Sequence, residues 1–225
     1  MLKAALNLAA DHDQSITSRR VWETGLASLP DAEEARNVIL PDDQIRQLVA
    51  HAYEHSREFG LLLETAAMTG ARVSQLARLE VQDLQDGAAP RLLMPASRKG
   101  KGAKAMLRRP VPISSALANR LAASDCNRPT TAPLLTKPSG ARWSKSDHSR
   151  LFAGAAKRCD FDAAEVTMYA LRHSSIVRQL LAGVPVRVVA VNHDTSVIMI
   201  ERNYSRHIGD HADALARAAL LDSTP

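Results

Sequence analysis

Tyr204 stands in the string Glu201-Arg202-Asn203-Tyr204-Ser205-Arg206-His207, one of three tyrosines in 225 residues, with an arginine two places to either side. The string offers no apolar reason to hold an aromatic ring, so a phenol in basic company reads as a nucleophile aimed at a phosphodiester. A phenol with a pKa of about 10 attacks poorly at neutral pH, so its surroundings must favour the phenolate or remove the proton during attack. Growing charge on the non-bridging phosphate oxygens calls for planar guanidinium forks, and two are the minimum clamp. Arg72 and Arg172 supply them from separate segments, and His193 stands between Arg172 and Tyr204. The departing sugar oxygen needs a proton, which a lysine can give if neighbouring positive charge lowers its pKa.

Composition suits a nucleic-acid substrate. The net charge is +5, carried by 22 arginines and 7 lysines against 24 acidic residues, and 45% of the chain is hydrophobic. That is enough to bury a core in one large domain or two small ones. Arginine excess favours phosphate contacts, although base composition of a genome produces the same excess. Cys126 and Cys159 stand far apart without metal-ligand spacing, and read as reduced thiols. No apolar stretch approaches the length of a membrane span, and the first residues lack the pattern of a signal peptide. We expect a cytoplasmic protein.

The elements that must position these groups follow from periodicity and punctuation. Residues 2–10 form an amphipathic helix that starts without a cap, which suggests the end of a preceding domain. Residues 11–40 are mixed and read as a linker with one or two short helices, and a compact domain opens at Pro41. Helices are expected over 42–56, 58–68 and 73–79, the second stopped by Gly70, which places Arg72 at a junction. Arg91-Leu92-Leu93-Met94 and Pro110-Val111-Pro112-Ile113 read as strands flanking the basic, glycine-rich tip Ser97-Arg98-Lys99-Gly100-Lys101-Gly102-Ala103-Lys104. Further helices are expected over 114–123, 145–157, 169–182, 185–191, 195–203 and 210–221. The fold class is therefore mainly α with a small antiparallel sheet.

Four strings occur in order: Thr69-Gly70-Ala71-Arg72, the basic tip around Lys99, Tyr169-Ala170-Leu171-Arg172-His173, and Asn192-His193-Asp194-Thr195-Ser196 followed by Tyr204. Together they resemble the catalytic domain of the tyrosine recombinases, the phage-integrase family, over roughly residues 40–215. The resemblance implies that Arg72 and Arg172 clamp the scissile phosphate, that Lys99 protonates the leaving 5′ oxygen, that His193 assists, and that Tyr204 forms a 3′-phosphotyrosyl bond. It implies phosphoryl transfer without metal or cofactor, on double-stranded DNA, in a tetramer joined through the helix after the tyrosine. Residues 1–10 resemble the last helix of a DNA-gripping domain, so residues 1–225 alone are expected to bind DNA weakly and to recombine poorly or not at all.

Two positions depart from the family pattern. Tyr169 stands where the family has a histidine three residues before the second arginine, and Gln75 stands where an acid commonly follows the first. Tyr169 is read as part of the phosphate pocket, Gln75 as orienting without charge, and His173, about 100° around the helix from Arg172, as a supporting hydrogen bonder. Lys101 and Lys104 share the tip with Lys99, and with Arg98, Arg202 and Arg206 they are candidates for DNA contacts. The bland alternatives are a structural tyrosine at 204, a helix-capping histidine at 193 and a merely phosphate-contacting tip. Competing functions are a DNA-binding protein that keeps the fold without cleaving, and a relaxing enzyme of the type IB topoisomerase kind.

Overall fold

The structure, a computed structural model, describes residues 2–27, 37–96, 107–124, 128–144, 146–209 and 212–220. The basic tip, with Arg98, Lys99, Lys101 and Lys104, lies outside the described residues. The chain divides into two compact units, residues 1–36 and 37–225.

In the first unit, helices α1 (Leu2–His12) and α2 (Arg19–Gly25) bury no residue of either helix. They are joined instead by polar contacts: Trp22 Nε1 donates to Asn7 Oδ1 at 2.9 Å, and Arg19 pairs with Asp11. Helix α1 runs two residues past the expected end at 10, and α2 falls in the segment 11–40 expected to carry short helices.

The second unit begins with two helices packed on each other. Helix α3 (Asp42–His55) carries Asp42 and Asp43 in its first turn, where the helix dipole favours anions, and buries Ile45, Leu48 and Ala52 at helical spacing. Helix α4 (Arg57–Thr69) is capped at its start by Ser56, whose hydroxyl accepts from the Phe59 N–H at 3.1 Å. It ends on Gly70 in the left-handed conformation. Arg72 then caps the one-turn helix α5 (Val73–Leu76).

The sheet has the order β1-β2-β3, with β1 (Leu84–Gln85), β2 (Arg91–Pro95) and β3 (Arg108–Pro112), all antiparallel. The expected helix over 73–79 stops at Leu76 and gives way to a turn at 77–78, and a 3₁₀ turn, Val81–Asp83, leads into β1. A buried carboxylate fixes that turn: Asp83 accepts from the Glu80 N–H at 2.8 Å and pairs with Arg108 of β3. Strand β3 is an edge strand, where Pro110 and Pro112 are tolerated. Met94 lies opposite Arg109, and the Ala96 N–H donates to the Leu107 carbonyl at 2.9 Å, so the ends of the tip segment are held at sheet spacing.

Helices α6 (Ser115–Ser124), α7 (Asp147–Arg158), α8 (Tyr169–Leu181), α9 (Val186–Asn192), α10 (Val197–Gly209) and α11 (Ala212–Ala218) complete the unit. The main core gathers Leu48, Phe59, Leu62, Leu76, Leu92, Leu117, Trp143 and Leu171. A smaller cluster joins the later part of α8 to α9 and α10: Ile176, Val177, Leu180, Val189, Ile200 and Tyr204. Helix α10 runs beyond the expected end at 203, so Tyr204 lies inside it. Val197, Ile200 and Tyr204 recur at helical spacing as one stripe, and Tyr204 is only 5% exposed. The expectation that this segment had no apolar reason for an aromatic ring is thereby corrected. Cys159 is free and half-buried, and burial pushes its thiol pKa up. Among the described residues, no helix is long and apolar enough to cross a membrane.

Candidate active site

Arg172 holds the centre of the site. It projects from the buried side of α8, 4% exposed, and its terminal nitrogens donate to the carbonyls of Gly70 (2.8 Å) and His193 (2.5 Å). A guanidinium has five N–H donors, so others remain for an anion. Burial, and then the nearby Arg72 charge, pull its pKa below the ordinary value. Arg72 is set by the start of α5, where its N–H donates to Gln75 Oε1 at 3.1 Å. Its guanidinium reaches the Asp194 carbonyl (3.3 Å) and carboxylate (3.5 Å).

Gln75 is buried and bridges two elements, donating to the Pro95 carbonyl at 2.8 Å and to Asp194 Oδ2 at 3.4 Å. Asp194 adopts φ 50°, a left-handed conformation that Asp tolerates better than most residues. Its carboxylate also pairs with Arg109 of β3 at 3.1 Å, and Arg109 donates to the Val191 carbonyl at 2.6 Å. The charge that Gln75 lacks is thus present in space, carried by the residue after His193.

His193 ends α9 and is 1% exposed. Its Nδ1 lies 2.9 Å from the Val189 carbonyl, which can only accept, so Nδ1 carries the proton and Nε2 accepts from the Ser175 hydroxyl at 3.0 Å. Burial holds its pKa down at about 4. Gly70, at φ 60°, closes over this pair: a Cβ there would fall 2.5 Å from the imidazole and 2.9 Å from Ser175 Cβ. A side chain at 70 is excluded by both conformation and space.

Tyr204 presents its hydroxyl to His173 Nδ1 at 2.6 Å. Burial lifts the phenol pKa to about 12 against the pull of Arg172 and Arg72, and burial with the Arg172 charge lowers His173 to about 4. The resting pair is therefore neutral, with the proton on oxygen. The His173 ring also meets the edge of Tyr169 at 5.0 Å between centroids, and the Arg172 guanidinium lies 5.9 Å from the centre of the Tyr169 ring. A continuous run of contacts thus links Tyr204, His173, Tyr169 and Arg172. Tyr169 is 47% exposed and lines a cavity of about 170 Å³ together with Arg72, Arg172 and His148.

Arg72, Arg172, His173, His193, Gln75, Tyr169 and Tyr204 are therefore gathered into one region of the described residues. Arg202 and Arg206 are exposed on α10, each about 200° around the helix from the buried Tyr204. Sequence reasoning passes over Arg109, Ser175, His148 and the charge role of Asp194. Only Asp194 carries a local signal, as the residue that follows His193 in its string; the start of α10 is capped by Ser196, and by neither His193 nor Asp194, the Ser196 hydroxyl accepting from the Met199 N–H at 3.2 Å.

The model of the phage integrase family matches residues 39–208. The chain belongs to the phage integrase family. Solved structures agree on the fold. XerA recombinase is 19% identical, with a TM-score of 0.61 over 82% of this chain and 66% of its own. The XerH site-specific recombinase in a post-cleavage complex with a palindromic difH substrate is 14% identical, with a TM-score of 0.65 over 84% of this chain and 55% of its own. The catalytic domain of bacteriophage HP1 integrase is 19% identical, with a TM-score of 0.53 over 83% of this chain and 97% of its own. This member of the phage integrase family spans about half to two thirds of the length of the XerA and XerH chains. No curated protein sequence matches it significantly.

Proposed function

We propose that this chain is the catalytic part of a site-specific DNA recombinase that breaks and rejoins strands through a 3′-phosphotyrosyl bond at Tyr204. The observation that carries the reading is the Tyr204 hydroxyl, held on an imidazole within a cluster that also contains two guanidiniums from distant segments. Arg72 and Arg172 hold the non-bridging oxygens. The Tyr204 oxygen bonds to phosphorus as the bond from phosphorus to the 5′ oxygen breaks. The phenol proton passes to His173 Nδ1, the acceptor already in contact. The 5′ oxygen takes a proton from Lys99, the role that the resemblance gives to the tip lysine. A partner strand's 5′ hydroxyl reverses the step, so the bond energy is conserved.

The resting protonation states fit this order of events. Transfer from a phenol near 12 to an imidazole near 4 is unfavourable, which keeps Tyr204 unreactive. A phosphodiester between the arginines offsets their charge at His173 and makes the imidazole more basic. His193 keeps the carbonyl that orients Arg172, and Arg98, Lys101, Lys104, Arg202 and Arg206 contact the flanking backbone. Association into a tetramer runs through α11 and the two residues after it, where Ala216, Ala219 and Leu220 are exposed. The proposed setting is the cytoplasm or nucleoid of a bacterium, for a protein of bacterial or phage origin.

The test is a duplex nicked beside the crossover position, so that the released fragment diffuses away and the adduct accumulates. A denaturant-resistant protein–DNA adduct that disappears in Tyr204→Phe supports the reading. Salt-sensitive binding with no adduct leaves a DNA-binding protein, and loss of the adduct in Tyr169→Phe but not Tyr204→Phe assigns the wrong tyrosine. Relaxation of supercoiled DNA without strand exchange points to the topoisomerase alternative.

A further inference from the structure

Helix α7 places an imidazole at the cavity lined by Arg72 and Arg172, from a segment that no motif of the chain marks. His148 lies in the first turn of α7 and lines the same cavity of about 170 Å³ as Arg72, Tyr169 and Arg172. Its Nδ1 is buried and has no hydrogen-bond partner. A buried polar atom left unpaired costs about 1–3 kcal/mol, so an imidazole in this state is poised for a ligand. The groups around it are the two arginines, Tyr169, and Asp147 beside it in the chain. Asp147 is already engaged, by Lys137 Nζ at 2.9 Å and the Ser144 N–H at 2.8 Å. An anion that bridges the guanidiniums in this cavity brings acceptor oxygens to the imidazole as well.

We propose that His148 is a third donor to the phosphodiester held by Arg72 and Arg172, supplying from α7 the imidazole that Tyr169 does not supply from α8. The assignment rests on the recombinase reading above. It explains how a site with a phenol at 169 still presents a ring N–H to a non-bridging oxygen. Burial lowers the His148 pKa, so the ring is neutral before the anion arrives and gains basicity once the anion is bound.

The experiment uses residues 1–225 and the nicked duplex. His148→Asn is expected to slow adduct formation roughly 100-fold, the scale for one lost donor to a developing oxyanion, with duplex affinity within threefold of wild type. Adding Tyr169→His to His148→Asn restores an imidazole at the cavity and is expected to recover most of the rate. A His148→Asn rate within threefold of wild type, or a double variant no faster than the single one, overturns the proposal. In the uncleavable Tyr204→Phe protein, the His148 ring resonances titrated by NMR are expected to show a pKa rise of at least about one unit on adding intact duplex, through the new phosphate contact. An unchanged titration overturns the proposal even where the adduct forms normally. Absence of any adduct with wild-type protein removes the recombinase reading and this inference together.

Discussion

Arg172 and Tyr204 sit on neighbouring helices and are held in opposite ways. Arg172 is fixed by two backbone carbonyls from distant segments, Gly70 and His193, in the part of the molecule where α8 meets the main core. Tyr204 rests on the smaller cluster of α8, α9 and α10, and its hydroxyl has one side-chain partner, His173, among the described contacts. A clamp bonded to main chain resists displacement. A phenol bonded to one imidazole can leave it for phosphorus without disturbing any backbone hydrogen bond. The anion site is thus built rigidly, while the nucleophile is held by a contact the reaction itself consumes.

Substitutions can break this contrast. The largest effect on chemistry falls on Tyr204→Phe: adduct formation drops about 10⁴-fold or more, while thermal stability changes by no more than about 1 kcal/mol because only one hydrogen bond is lost. Adduct assays and melting curves together check both halves. Arg172→Met reverses the balance. It abolishes the adduct and also strands two buried carbonyls, at a cost of about 2–4 kcal/mol, seen as a fall in Tm of roughly 5–15 °C. If Arg172→Met melted like wild type, the rigid half of the comparison would be wrong.

Gly70→Ala tests the same half without removing charge. Left-handed backbone and the contact with His193 and Ser175 together cost about 1–3 kcal/mol, and the displaced imidazole loosens the carbonyl that orients Arg172. Denaturant titration measures the loss, and the adduct rate should fall with it. A separate test reads pH dependence. His173 and His193 have folded pKa values near 4, below the ordinary value of about 6.5, so between these limits the unfolded chain binds more protons than the folded one. Stability contributed by the neutral rings is complete above pH 6.5 or so and is lost as pH falls toward 4, with a slope of up to about two protons. Replacing either histidine with asparagine should reduce that slope by about one proton, and an unchanged slope would show that the rings do not stay neutral.

The parts of this molecule that its sequence makes legible are local ones. Arg72, Arg172, His193 and Tyr204 are marked by neighbouring residues, and Gly70, Ser56 and the acidic start of α3 announce helix ends through capping chemistry. The sheet is half legible, because β2 is a mostly apolar run and β3 ends in Pro110-Val111-Pro112 beyond a glycine-rich tip, whereas β1 is two residues long and depends on a buried Asp83 pairing with a strand 25 positions away. Arg108 and Arg109 show the same limit. They are adjacent and alike in the sequence, yet alternation along a strand sends one to Asp83 and the other to Asp194. Ser175 and His148 matter only through what the fold places beside them. The burial of Tyr204 is written in the stripe of residues 197, 200 and 204, but the basic residues around it mask the period.

The tie between Arg109 and the loop after α9 has a further consequence for how the molecule opens. Strand β3 is hydrogen-bonded to β2, and Arg109 fastens it to the Val191 carbonyl and to Asp194, which in turn engages Arg72 and Gln75. Local opening of the strand that ends the tip segment must therefore release the loop carrying His193. The amides of Arg109 and Val111 and those of 193–195 should exchange with solvent deuterium as one cooperative unit. Arg109→Ala should uncouple them into two.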